Sequence, residues 1–161
     1  ETLDRMTGIG IKGSMWGAQA LLAHYDRERG GAIINMASPV AERGFPNTSA
    51  YSLVKGAIVT LTKVLAAELG PKGIRVNALS PGMVRTDLNQ SVWAASQNIL
   101  PAHERQDYSA WAAEKIRKVS PMGRWQTVEE FAALATYLAS DHARNITGQT
   151  LNIDGGQVMH S

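Results

Sequence analysis

A long helix that is apolar almost all the way round, set between two short apolar runs, does most to limit what this chain can fold into. From Ala50 to Leu69, the residues Val54, Ile58, Leu61, Leu65 and Leu69 recur at helical spacing. Leu53, Ala57, Val59, Val64, Ala66 and Ala67 fill most of the remaining circumference, and Gly70-Pro71 ends the segment. A helix with so little polar surface must be covered on both sides. One side is expected to face a sheet and the other a second subunit. Upstream, Gly31 to Ala37 (GAIINMA) has the nearly continuous apolar character of a strand buried on both faces. Downstream, Ile74 to Leu79 (IRVNAL) reads as its neighbour, stopped by Pro81-Gly82. Strand, helix and strand within about fifty residues form a βαβ unit, which requires a parallel sheet.

The rest of the chain fits around that unit. Asp4 to Glu28 reads as one helix with a charged tail ending at Gly30-Gly31, although Gly8, Gly10, Gly13 and Gly17 each weaken it. Ser38 to Ser49 carries Pro39, Gly44, Pro46 and Asn47 and reads as a loop. Met83 to Thr127 is a long, irregular insertion with helical stretches near Ser91 to Asn98 and Asp107 to Lys118, and an insertion of this length usually covers a site. Val128 to Ser140 is an amphipathic helix with Thr127 as N-cap and Glu130 at the capping-box position. Gln149 to Asp154 is a final strand running into Gly155-Gly156.

Composition excludes several classes. With 44% hydrophobic and 19% charged residues the chain is globular rather than disordered. A formal net charge of +2 without any Lys/Arg cluster argues against nucleic acid as a partner. With no cysteine there is neither a disulfide scaffold nor a thiolate metal site, which fits a reducing, cytoplasmic location. No apolar run is long enough to span a membrane. His24, His103, His142 and His160 lack metal-ligand spacing and read as solvated surface residues, so no metal is expected.

The chemistry concentrates at one end of the βαβ unit. Tyr51 and Lys55 stand four apart at the start of the strong helix, which places them on one face, about 5–6 Å apart at Cβ. A neighbouring ammonium favours the ionised phenol, making the pair a tuned proton donor and acceptor. Alone the pair is weak, because a lysine four residues after a tyrosine often arises by chance. Ser38 strengthens it, lying at the carboxyl end of a buried strand where open α/β sheets place their ligands. Pro81 to Thr86 (PGMVRT) lies at the carboxyl end of the neighbouring strand.

These segments together resemble the carboxyl-terminal two-thirds of a short-chain dehydrogenase/reductase. The matching elements are IINMAS ending at Ser38, YSLVK from Tyr51 to Lys55, GIRVNALSPGMVRT from Gly73 to Thr86, and NIDGG from Asn152 to Gly156. The resemblance implies an α/β fold, a partial doubly wound Rossmann-type parallel sheet of three strands with flanking helices. It implies an oxidoreductase interconverting a secondary alcohol and a ketone with NAD or NADP. Tyr51 is then the general acid/base, Lys55 lowers its pKa and holds the nicotinamide ribose, and Ser38 hydrogen-bonds the substrate oxygen. Pro81, Gly82, Val84 and Thr86 line the nicotinamide end of the cofactor. Partners implied are a small alcohol or ketone and further copies of the chain, joined through helices 4–28 and 50–69. Asn77 matches a structural asparagine expected to bridge backbone groups.

Two departures carry consequences. The family's opening strand and Gly-rich phosphate turn have no counterpart, since GIGIKG from Gly8 to Gly13 lies inside a helix and suits helix packing. Residues 1–161 thus read as the catalytic side of one domain, with 83–127 as the substrate-covering insertion and Glu1 as a truncation point. Tight dinucleotide binding is not expected of this stretch alone. The unpaired edge of 31–37 is expected to make it oligomeric or poorly soluble. Gly10 falls where the family carries an asparagine of its proton relay, so a second reading is an inactive binding or assembly module. Trp93, Tyr108, Trp111, Met122 and Trp125 give the insertion an aromatic, apolar mass suited to local packing or substrate contact.

Overall fold

The computed structural model describes residues 2–159. Glu1, His160 and Ser161 lie outside the described residues, and with them the truncation-point reading of Glu1 and the surface reading of His160. Three parallel strands, β1 (Gly31–Met36), β2 (Ile74–Pro81) and β3 (Thr150–Ile153), form one sheet in the order β1-β2-β3. Gly31 pairs with Ile74 and Met36 with Leu79, while Ala78 pairs with Thr150 and Pro81 with Ile153.

The expected helices are present, with two corrections. The opening segment is α1 (Thr2–Met6), a π-helical stretch (Thr7–Lys12) and α2 (Gly13–His24), so it is neither regular nor continuous to Glu28. It stops early because the Asp26 carboxylate accepts the Glu28 N–H at 2.8 Å and the Asp26 carbonyl accepts the Gly30 N–H at 2.9 Å. That local turn competes with further helix. Both helical stretches expected in the insertion are present, α4 (Asp87–Ile99) and α5 (Tyr108–Val119), but α4 begins four residues earlier than expected. The helix α3 (Ser49–Leu69) is the long central one, and α6 (Val128–Ala139) starts from Thr127, whose N–H donates to Glu130 Oε2 at 2.8 Å.

Alternation along the strands sends side chains to two helical layers. On one face Ile74, Val76, Ala66 and Leu69 pack together with Ile33, Leu21 and Leu22, joining β1 and β2 to α2 and α3. On the other face Leu79, Leu138 and Ala143 pack with Ile34, Leu134 and Leu151, joining all three strands to α6. Helices on both faces of a parallel sheet give the doubly wound arrangement. The strand β1 departs from the expectation of burial on both faces. It is one of the two edge strands of the described sheet, and Met36 at its end is 48% exposed.

Polar groups inside this core are paired. Asn77 donates from Nδ2 to the Ile146 carbonyl at 2.8 Å and accepts the Gln149 N–H at 3.1 Å, bridging backbone as expected. Asn35 donates to Thr62 Oγ1 at 2.9 Å, and Thr62 donates to the Ile58 carbonyl at 2.8 Å, tying β1 to α3. Arg75, which sequence reasoning passed over, holds the end of α6. Its guanidinium donates to the carbonyls of Leu138, Ala139 (3.3 Å) and Ser140 (3.1 Å), where the helix dipole favours a cation. Arg75→Met should lower stability by about 1 kcal/mol, read from the urea midpoint. An unchanged midpoint would mean that water serves those carbonyls equally well.

Candidate active site

Three chain segments meet at the carboxyl edge of the sheet. Past β1, the Ala37 N–H donates to the Leu79 carbonyl at 2.7 Å, so the chain stays beside β2 until Ser38. Ser38 is extended (φ −168°, ψ 152°), only 8% exposed, and precedes a 3-10 turn from Pro39 to Ala41. Pro39 takes the first position of that turn, where its missing N–H leaves no partner unsatisfied. This gives the unusual proline a structural reason.

The second segment is the start of α3. Thr48, its N-cap residue, donates from Oγ1 to the Phe45 carbonyl at 2.7 Å and lies 3.0 Å from Ser52 Oγ. Tyr51 in the first turn is 38% exposed, and Lys55 sits one turn further, with Nζ 5.7 Å from the Tyr51 ring centroid. The Lys55 ammonium also donates to the Met36 carbonyl at 2.6 Å, which anchors it to the end of β1. Burial pushes the Lys55 pKa below the ordinary lysine value.

The third segment leaves β2. The Gly82 N–H donates to the Ile153 carbonyl at 3.1 Å, and the Gln126 N–H to the Met83 carbonyl at 2.8 Å. Val84 forms an isolated parallel bridge with Gln126. Thr86 is the N-cap residue of α4.

The residues expected to act on substrate or cofactor come together. Ser38, Tyr51, Lys55, Pro81, Gly82, Val84 and Thr86 line one cleft of about 430 Å³. Leu88 and Asn89 of α4 and Lys115 of α5 add walls from the insertion, and Gln157 contributes from beyond β3. A larger groove of about 620 Å³ shares Val84 but is otherwise lined by residues such as Arg85, Ile116, Trp125 and Val128. It holds none of Ser38, Tyr51 and Lys55, so the smaller cleft is where proton chemistry is available. Of the insertion's aromatics, Trp93, Tyr108 and Trp111 pack on one another with centroids 5.8 Å apart, and Trp125 donates from Nε1 to the Ala112 carbonyl at 3.2 Å. None of these four lines the Tyr51 cleft; Trp93, Tyr108 and Trp111 pack locally, while Trp125 lines the larger groove.

Lys115 and Gln157 were missed. Lys115 was legible in principle: it stands four residues after Trp111, and its Nζ lies 4.4 Å from that ring's centroid. Nothing local marks Gln157. Gly10 lies within the π-helical stretch, and a Cβ there would come 2.5 Å from Val54 Cγ1. The helix-packing reading of GIGIKG therefore holds at Gly10. Among the described residues no group of three or more His, Cys, Asp or Glu comes together to hold a metal, and no helix is long and apolar enough to cross a membrane.

The depressed pKa of Lys55 has a sign in stability. Below the lowered value both folded and unfolded chains carry the ammonium, and folding bears the full penalty of burying it. Between the lowered and the ordinary value the unfolded chain holds more protons, so stability rises with pH. Above the ordinary value the penalty is gone. Lys55→Met should flatten part of this alkaline rise in a pH series of urea melts; an unaltered slope would contradict it.

A parallel sheet covered on both faces, with a cleft holding Ser38, Tyr51 and Lys55 at its carboxyl edge, defines a Rossmann-type α/β chain. Over residues 1–158 it matches the family model described as Enoyl-(Acyl carrier protein) reductase. It is 37% identical over 159 residues to an NAD-dependent glycerol dehydrogenase of Listeria innocua, covering 99% of this chain and 57% of the relative. It is 34% identical over 157 residues to a diacetyl reductase [(S)-acetoin forming] of Staphylococcus aureus, covering 97% of this chain and 59% of that relative. The structure is similar to a gluconate 5-dehydrogenase of Burkholderia cenocepacia solved in complex with NADP and tartrate, with TM-score 0.82 and 31% identity over 97% of this chain and 56% of that one. The chain belongs to the short-chain dehydrogenase/reductase family. It spans little more than half the length of these relatives.

Proposed function

We propose that this chain carries the catalytic side of an NAD(P)-dependent oxidoreductase that interconverts a secondary alcohol and a ketone. The observation that carries the reading is the convergence of Ser38, Tyr51 and Lys55 on one cleft at the carboxyl edge of a parallel sheet. The Tyr51 hydroxyl exchanges a proton with the substrate oxygen. The Lys55 ammonium, 5.7 Å from the centroid of that ring, offers a positive charge beside the phenolic oxygen as it gives up its proton. The Ser38 hydroxyl donates to the same substrate oxygen as charge develops on it, from a position already held by the turn that follows.

The cleft suits the nicotinamide–ribose end of a dinucleotide. Its side-chain donors are hydroxyls, amides and ammonium groups, and among the described residues no Asp or Glu lines it to repel an anionic cofactor. Tyr51 and Lys55 would hold the ribose hydroxyls, while Pro81, Gly82, Val84 and Thr86 would form the wall beside the ring. A bound nicotinamide dinucleotide supplies or accepts the hydride. The helical Gly8 to Gly13 segment offers no phosphate-binding loop. The reading therefore includes a cofactor half in a longer natural polypeptide, supported by the 57% of the glycerol dehydrogenase's length that this chain spans. The names of the relatives support small, polar hydroxy compounds as the substrate range. Assembly with further copies would use the exposed apolar side chains of the first helical segment and of α3, such as Trp16 at 62% and Leu53 at 61% exposure.

Gly10 favours a second reading, an inactive binding or assembly module, because a side chain there would collide with Val54. One experiment separates the two. The natural polypeptide is assayed for nicotinamide-dependent oxidation of small secondary alcohols beside its Tyr51→Phe variant. Turnover lost in the variant supports the enzyme; a folded natural protein that turns over nothing supports the module.

A further inference from the structure

Lys115 is the one cation of the insertion that lines the Tyr51 cleft. It projects from α5, and its Nζ lies over the Trp111 ring, which restrains the side chain without neutralising it. Its neighbours on that helix are engaged otherwise: Glu114 pairs with Lys118 and accepts from Gln106. At the helix start the Asp107 carboxylate accepts the Ala110 N–H at 2.9 Å. The Asp154 carboxylate, at the end of β3, accepts the N–H groups of Gly156 and Val158 at 2.9 and 2.8 Å. Burial alone lowers the Lys115 pKa, and no carboxylate acts to raise it. With Lys55 tied to the Met36 carbonyl, Lys115 is a partly buried lysine lining the cleft, and among the described residues no carboxylate pairs with it.

A half-buried ammonium without a counter-ion is destabilising unless something negative is bound beside it. We infer that Lys115 pairs with an anionic group of the substrate, so that the substrate class is a hydroxy or keto acid rather than a neutral alcohol. The inference rests on the proposed oxidoreductase reading and refines it. The carboxylate sits against the insertion, while the carbinol carbon stays beside Tyr51 and Ser38 on the opposite wall. A phosphate of the dinucleotide has the same charge chemistry and is the competing source of the anion.

The test uses the full natural polypeptide and measures binding by calorimetry for carbon-matched pairs. Lactate, glycerate and gluconate are set against propane-1,2-diol, glycerol and glucitol. In the parent protein the acids should bind about tenfold to a hundredfold more tightly than the matched alcohols, the range of a charge-assisted hydrogen bond. Lys115→Met should abolish that preference, and Lys115→Arg should restore part of it, while affinity for NAD and NADP stays within about threefold. No acid preference in the parent overturns the inference whatever the variants do. Equal loss for acids and alcohols also overturns it, as does a loss confined to dinucleotide affinity, which would assign Lys115 to a cofactor phosphate. Failure of the two readings looks different. Turnover of neutral alcohols without acid preference removes the inference and keeps the oxidoreductase, whereas acid preference without turnover does the reverse.

Discussion

Tyr51→Phe should lower kcat by about 10²- to 10⁴-fold, the span of a lost general acid/base. Only the phenolic oxygen is removed. The ring stays, and with it the packing at the start of α3 and the contact with the Lys55 ammonium 5.7 Å from its centroid. Since Tyr51 is 38% exposed, stability should shift by no more than about 0.5 kcal/mol. The loss is therefore expected in turnover and not in folding, with thermal melts of parent and variant superimposing. A variant that keeps parental kcat would remove Tyr51 from the reaction and leave the cleft as a binding site.

Gly82→Ala should be the most destabilising single-methyl change in the site. A Cβ there would lie 2.6 Å from Asp154 Cα, 2.8 Å from Asp154 Cβ and 2.7 Å from Gln126 Oε1. The first of these is main chain, which no rotamer change can move aside. The carboxyl ends of β2 and β3 would have to separate, breaking the Gly82 N–H bond to the Ile153 carbonyl. Overpacking of this kind costs about 3 kcal/mol or more when backbone must shift. Because Gly82 also lines the cleft, the urea midpoint and turnover should fall together. A variant as stable as the parent would show that the strand ends have room which the packing at Gly82 does not suggest.

Much of this was legible in local sequence. Helical spacing from Val54 to Leu69 and the apolar runs on either side led to the βαβ unit, and the sheet is parallel as that unit requires. Thr127 and Glu130 marked the start of α6 because capping is satisfied within a few residues. Where the reading failed, a competing local bond or a distant partner decided the outcome. Asp26 turned the chain and ended α2 four residues early. The strand β1 looked wholly buried because its residues are apolar. Its half-exposure follows from its place at an edge of the described sheet, the unpaired edge that the family resemblance implied for 31–37 but that the apolar run by itself does not show.

The same division runs through the site. That Tyr51 and Lys55 share a helix face follows from sequence alone, since a four-residue spacing is a helical repeat. That Ser38 ends a strand is likewise local. What the tertiary structure decided is the company these residues keep. Lys115 enters their cleft from α5, more than fifty residues along the chain from Lys55, and Lys55 itself is anchored on the Met36 carbonyl. Gly82 owes its lack of a side chain to Asp154 and Gln126, both distant in sequence. Periodicity determines an element and its faces because both repeat along the chain; which charges and backbones then meet depends on how the layers stack.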